Sequence, residues 1–140
     1  MNYIYYPGCS LGSTGRAYDE SGRFVFDRLG VRFTELDDWN CCGATAYMSV
    51  SELQAVALSA RNLALAERQG DGKGPVNVVA PCAACYLGLA KAQHLLDDSE
   101  EATGKANGAL ASANLEYEGN VKVRHPLEVL AKDLGLDRIT

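Results

Sequence analysis

Four short apolar segments, each followed by a turn and then a longer helical stretch, constrain the fold of this chain more than any other feature. Residues 3–6 are aromatic and β-branched and stop at Pro7-Gly8. Residues 31–36 alternate apolar and polar side chains, as a half-buried strand does. Residues 76–80 form a continuous apolar run closed by Pro81, which reads as a buried parallel strand. Residues 121–124 form a weaker fourth strand before a His125-Pro126 turn.

Helical spacing fills the intervals. Phe24, Phe26 and Leu29 mark a helix over 17–29 that stops at Gly30. Over 51–69, Leu53, Val56, Ala57, Ala60, Leu63 and Ala64 form one apolar face. Ser51 and Gln54 fit a capping box there, and Gly70 ends the helix. Residues 70–75 are a glycine-rich loop, 83–96 a further helix and 127–134 a last short one. Residues 97–119 are polar and show no clear element, and the acidic run 97–101 reads as a solvated helix end. Strand followed by helix, four times over, predicts an α/β domain. Its sheet is small, mostly parallel and four-stranded, flanked by helices on both faces.

Five cysteines then take on meaning. They fall as Cys9, Cys41, Cys42, Cys82 and Cys85, in the pattern C-x31-CC-x39-C-x2-C. Cys9, the Cys41-Cys42 pair and the Cys82/Cys85 pair each come just after a predicted strand. Ligand sites of open α/β sheets gather beyond the carboxyl ends of the strands, so all five thiols are expected at one rim. Neighbouring side chains diverge, so Cys41-Cys42 is poorly suited to two ordinary disulfides, whereas adjacent thiolates suit a multi-metal assembly. The Cys82-x-x-Cys85 spacing serves iron–sulfur clusters, structural zinc and redox dithiols alike. Five thiols are one too many for a single zinc ion, and the count leans toward a multi-iron cluster. Packing as five small hydrophobes is the plainer alternative. Against it, three of the five stand beside Pro or Gly at turns.

Bulk composition narrows the class further. A chain of 140 residues with 47% hydrophobic content supports one core. The formal net charge of −5 offers no basic stripe for nucleic acid. No run approaches the roughly 20 apolar residues that span a bilayer, so direct membrane insertion is not expected. The N-terminus has no basic segment followed by an apolar one, so the reading is of a cytoplasmic protein with reduced thiols.

Around the thiols, Cys82 and Cys85 open a predicted helix, where free N–H groups and the positive dipole end favour thiolate. Gly8 and Gly43 place bare backbone beside the sulfurs, leaving room for N–H···S contacts, although tight turns alone would also use them. Trp39, the single tryptophan, would either shield a cluster or pack in the core. His125, after the fourth strand, is the one candidate for a proton-handling role at the rim. A His before Pro in a turn is more often structural. His94, within a helix, reads as a surface residue.

These segments resemble a known family. Residues 5–10 (Tyr-Tyr-Pro-Gly-Cys-Ser), 37–45 (Asp-Asp-Trp-Asn-Cys-Cys-Gly-Ala-Thr) and 80–86 (Ala-Pro-Cys-Ala-Ala-Cys-Tyr) are similar to the cysteine-rich CCG domain family. Within it they resemble the N-terminal half of the B-type polypeptide of heterodisulfide reductase, and residues 62–66 and 121–125 extend the likeness over essentially the whole chain. The resemblance implies a noncubane [4Fe-4S] cluster held by Cys9, Cys41, Cys42, Cys82 and Cys85, at which a disulfide is reductively cleaved in two one-electron steps. The substrate implied is a small disulfide, of the coenzyme M–coenzyme B type or related. The implied partners are a second CCG domain, a ferredoxin-like iron–sulfur subunit and a flavin subunit. Residues 1–140 correspond to one CCG domain, the first of two in the family's full-length polypeptide. The interval from Cys42 to Cys82 is a few residues longer than the family's, which places the extra length in the 70–75 loop.

Two other readings stand beside this one. A zinc-binding structural or interaction domain would use four of the cysteines and carry no redox activity. A metal-free dithiol oxidoreductase would use Cys82 and Cys85 alone and leave the Cys41-Cys42 pair idle.

Overall fold

The computed structural model describes residues 2–8, 15–41, 52–70 and 74–138. Four strands, β1 (Asn2–Tyr5), β2 (Arg32–Glu35), β3 (Val76–Val79) and β4 (Val121–Arg124), form one sheet in the order β2-β1-β3-β4. Every pairing is parallel. The expected "mostly parallel" sheet is therefore wholly parallel. The expected helices are α1 (Arg16–Arg28), α2 (Glu52–Gln69) and α3 (Ala83–Asp98). A fourth, α4 (Glu100–Leu110), follows directly. The C-terminal segment begins as α5 (Pro126–Glu128), widens to a π-helical stretch over Val129–Gly135 and closes in a 3₁₀ turn over Leu136–Arg138.

Strand alternation assigns the two layers. Ile4, Val78, Val121 and Val123 share one face with Leu63 and Ala64 of α2 and Leu89 and Leu96 of α3. Tyr3 and Val79 share the other with Phe26 of α1 and with Val129 and Leu134. Phe33 of β2 is stacked on Tyr5 with ring centroids 4.9 Å apart. Gly70 closes α2 as expected, its N–H bonding Ala66 O at 3.0 Å, and a side chain there would run into Val76. The capping box falls outside the described residues, since it depends on Ser51.

One expectation is corrected. The segment 97–119 is not without structure: it contains α4, followed by a 3₁₀ turn over Ala111–Ala113. The acidic run is thus a helix-to-helix junction. Ser99 caps α4 by accepting Ala102 N–H at 3.2 Å, and Glu100 and Glu101 lie in its first turn, where carboxylates favour the dipole. Asp97 is not merely solvated either, because it accepts the Tyr117 hydroxyl at 2.8 Å. Ala102, Ala106 and Leu110, four apart, pack on the main core. Gly104 and Gly108 on the exposed face dilute that signal in the sequence.

Beneath the C-terminal segment lies a buried charge. Arg124, 6% exposed, donates to Glu128 at 2.7 Å and to Asp133 at 2.5 Å, and the Tyr3 hydroxyl also donates to Asp133. The Arg124 hydrogen bond holds the Asp133 carboxyl below its usual range. Burial raises Glu128, but the bond and charge of Arg124 outweigh it and the net shift is downward. Tyr3 moves the other way, pushed up to about 12 by burial and by its bond to Asp133. Lowered carboxyls contribute stability that is present above their unfolded values and lost as pH falls through the folded ones. A raised phenol contributes stability that is present below about 10 and lost as pH climbs through about 12. The melting temperature should therefore hold a plateau from about pH 5 to 9 and fall on both sides. A Glu128→Gln/Asp133→Asn double variant should show a flatter acid limb. An acid limb as steep as that of the parent chain would refute the assignment.

Candidate functional site

The rim beyond the carboxyl ends of the strands is built from three separated segments. From β1 the chain enters Tyr6, fully buried, whose N–H bonds Val79 O at 2.9 Å. Two residues on, Gly8 adopts φ +75 and lies directly against the sulfur of Cys85. A Cβ at Gly8 would stand 2.8 Å from Cys85 Sγ. A residue with a side chain could occupy neither that conformation nor that space without strain. The residue before Cys9 is thereby placed against the CxxC helix, although 77 positions separate residues 8 and 85 in sequence.

The second segment is tied to the first by side chains. Tyr6 Oη donates to Asn40 O at 2.6 Å, and the Tyr6 and Trp39 rings meet edge-on at 5.4 Å. Trp39 also packs against the main core. A knot from α2 fixes Asn40. Asn62, 2% exposed, accepts Asn40 N–H at 3.0 Å through Oδ1 and donates to Asn40 O at 2.8 Å through Nδ2. Asn40 Nδ2 reaches Leu58 O at 3.1 Å and Cys41 O at 2.8 Å. Arg61 clamps Asp38 and Asn40 together from outside, at 2.7–2.9 Å. Cys41, the next residue, is exposed.

The third segment follows β3. Ala80 N–H closes the ladder on Arg124 O at 3.0 Å, and Cys82 then stands at the N-cap of α3 with extended backbone and no side-chain cap bond. Cys82 is half-buried and Cys85 buried. Tyr18 of α1 donates to Pro81 O at 3.2 Å. Its phenol is raised, first by burial and then by the negative charge available at Cys82.

The described residues thus bring the Gly8, Asn40/Cys41 and Cys82/Cys85 segments to one end of the sheet. Cys9 and Cys42, like Gly43, lie outside those residues. Among the described residues no three metal-ligating side chains meet in one group. The donor set itself is soft sulfur, with a bare glycine backbone against Cys85, and both features suit a thiolate-held metal centre.

His125 does reach the same rim, with its ring edge-on to Tyr86 at 5.6 Å. Its Nδ1 accepts Leu127 N–H at 3.2 Å, so it caps α5. His94 is exposed on α3, as expected. Reading the sequence residue by residue missed the Asn40–Asn62–Arg61 knot. A signal existed: Asn62 interrupts an apolar helical face, and a buried amide needs partners. Asn62→Leu should cost about 2–3 kcal/mol, because Asn40 loses a buried acceptor and a donor at once. Urea denaturation measures the cost, and hydrogen exchange should show lost protection at residue 40. An unchanged midpoint would remove the knot from the site's support.

Comparison with known proteins gives a consistent picture. A family model described as "Cysteine-rich domain", CCG, matches residues 3–90. A protein of Archaeoglobus profundus described as like the B-type polypeptide of heterodisulfide reductase is 33% identical over 140 residues, covering 99% of this chain and 45% of that protein. The 8-methylmenaquinol:fumarate reductase membrane anchor subunit of Wolinella succinogenes is 33% identical over 132 residues, covering 94% of this chain and 44% of that one. The B-type polypeptide of a CoB-CoM heterodisulfide reductase of Methanosarcina acetivorans is 28% identical, with 96% and 43% covered. The chain therefore spans under half the length of these relatives. In fold, a hypothetical protein from Helicobacter pylori superposes with a TM-score of 0.78 at 20% identity, over 94% of this chain and 25% of that one. Among the described residues no helix is long and apolar enough to cross a membrane. With its sheet, its cysteine rim and a family match over more than half its length, the chain belongs to the cysteine-rich CCG domain family.

Proposed function

We propose that this domain holds an iron–sulfur cluster, a noncubane [4Fe-4S] centre, through Cys9, Cys41, Cys42, Cys82 and Cys85, and takes part in reducing a small disulfide. The observation that carries the reading is the approach of Gly8 to Cys85 Sγ, which brings two sequence-distant cysteine segments to one place. The names of the relatives, two of them B-type polypeptides of heterodisulfide reductase or like them, support the direction of the chemistry. When bound, such a cluster supplies electrons singly and an iron that accepts a sulfur ligand. The net reaction consumes two electrons and two protons, breaks one S–S bond and releases two thiols.

The chain's own residues hold and shape the site. Tyr6, Asn40 and Asn62 fix the loop that carries Cys41, and Gly8 leaves room for the Cys85 sulfur. Trp39 and Tyr86 put aromatic surface beside the cysteine segments and limit water there. As relatives of about twice this length suggest, a second CCG domain completes the substrate site. Iron–sulfur and flavin subunits would bring the electrons.

The test is anaerobic reconstitution with iron and sulfide quantified, followed by Mössbauer and EPR spectra. Four irons per chain and a signal lost in both Cys41→Ser and Cys42→Ser are expected. Turnover with a reduced donor should then require a second CCG domain, fused or added in trans. Stoichiometric zinc without iron would overturn the redox reading. Full turnover by the 140 residues alone as a monomer would overturn the half-site model.

A further inference from the structure

Every hydrogen bond described for the Arg61 guanidinium ends on the turn that leads to Cys41. Nη1 donates to Asp38 O at 2.8 Å and to Asn40 Oδ1 at 2.9 Å, and Nη2 donates to Asp38 Oδ2 at 2.7 Å. That turn is one the backbone does not take freely. Asp38 has φ +60, and Asn114 is the other non-glycine residue with positive φ among the described residues. Aspartate tolerates the left-handed region better than most side chains, yet still at a cost. A cation that grips both its carbonyl and its carboxylate holds it there.

The bond to Asn40 reaches further. A side-chain amide has an acceptor at one end and two donors at the other, and its neighbours decide which way round it sits. Arg61 offers only donors, so the end of Asn40 that faces it is Oδ1. Nδ2 is thereby turned to Leu58 O at 3.1 Å and to Cys41 O at 2.8 Å. Reversed, the amide would set its NH2 against the guanidinium and an oxygen against two carbonyls. Asn62 does not decide this. It bonds the main chain of Asn40, which places the residue without orienting its side chain. The need for such control differs around the rim. Cys85 is buried and packed beside Gly8, whereas Cys41 is exposed, so its direction depends on how its backbone is held.

We propose that Arg61 is a positioning residue for the metal centre: acting through Asp38 and Asn40, it fixes the backbone that presents Cys41. The consequence for the metal rests on the function proposed above; the positioning rests on the hydrogen bonds alone. It is read first in the reduced, metal-free chain by NMR. The Asn40 side-chain NH2 should exchange slowly in the parent. In Arg61→Met it should exchange fast, with the Cys41 amide shifted and the Cys85 amide unmoved. Arg61→Lys should recover only part of the parent spectrum, because one ammonium cannot reproduce the fork, and it carries the same test if the methionine variant does not fold. An Asn40 side chain and a Cys41 amide unmoved in both variants would overturn the proposal, whether or not the chain takes up iron.

A second arm uses the reconstituted protein. Arg61→Met should keep the parent's iron count, shift the EPR signal and lose iron to EDTA about tenfold faster, as expected when a group supporting a ligand is removed. Tyr117→Phe is the control, since it breaks a hydrogen bond to Asp97 in the segment that precedes β4, away from the rim. It should lower the melting temperature and leave the signal and the iron loss as in the parent. A parent-like signal and iron loss in Arg61→Met, or equal changes in Tyr117→Phe, would overturn the link to the metal. No iron in the parent chain would sink the metal reading itself, while the NMR arm still decides the positioning.

Discussion

Arg124→Ala is expected to lower the folding free energy by about 3 kcal/mol, among the largest single losses open to this chain. The guanidinium is buried at the end of β4 and holds two carboxylates, Glu128 at 2.7 Å and Asp133 at 2.5 Å, that are each about one-quarter exposed. Removing it leaves both anions close together, with the Tyr3 hydroxyl and the more distant Lys132 to offset their charge. Their partial exposure lets water relieve some of that repulsion, so the loss belongs at the lower end of the range for broken buried pairs. The effect should be smaller in Asp133→Asn, which keeps the Glu128 pair. Guanidinium or urea titration reads both. Packing is the competing explanation, and Arg124→Met separates the two: it keeps most of the volume and loses the charge. If the methionine variant is as stable as the parent chain at pH 7, the ion pairs contribute little and the alanine loss is a cavity. As pH falls through the lowered values of the two carboxyls, the gap between parent and Arg124→Met should shrink.

That cluster also shows where sequence reasoning stops. Val121-Lys122-Val123-Arg124 reads as a strand with a polar face, and Lys122 is indeed exposed. Arg124 is covered only because the C-terminal segment folds back across it, and nothing local announces that. The first and third strands were legible as short apolar runs, and the second and fourth by the alternation of apolar and polar residues. The placement of Cys41, Cys82 and Gly8 was legible for a related reason: each follows a strand that ends at the same rim. Contacts across the rim were not. Asn40 with Asn62, Tyr6 with Asn40 and Gly8 with Cys85 join residues that only the tertiary fold brings together. Helix α4 was hidden for a local reason, since Gly104, Asn107 and Gly108 are poor helix formers and its buried face is mostly alanine.

Gly8→Ala should be the most informative substitution at the rim, costing about 2–5 kcal/mol and lowering iron uptake with it. Two separate penalties meet there. A non-glycine residue at φ +75 pays about 1–2 kcal/mol for the left-handed backbone. The new methyl would also stand 2.8 Å from Cys85 Sγ, and Cys85 is only 5% exposed, so the sulfur can yield only by moving its helix or changing rotamer. Overpacking of this kind adds about 1–3 kcal/mol. Gly30 and Gly135 supply the controls. Both have positive φ, +81 and +84, and both would carry a Cβ into open space. Gly30→Ala and Gly135→Ala should therefore show the backbone penalty alone, with iron content unchanged after reconstitution. The excess loss in Gly8→Ala measures the approach to the sulfur. If all three variants lose the same stability and bind iron equally well, the Cys85 sulfur does not depend on the bare backbone at Gly8, and the observation that carries the proposed site fails.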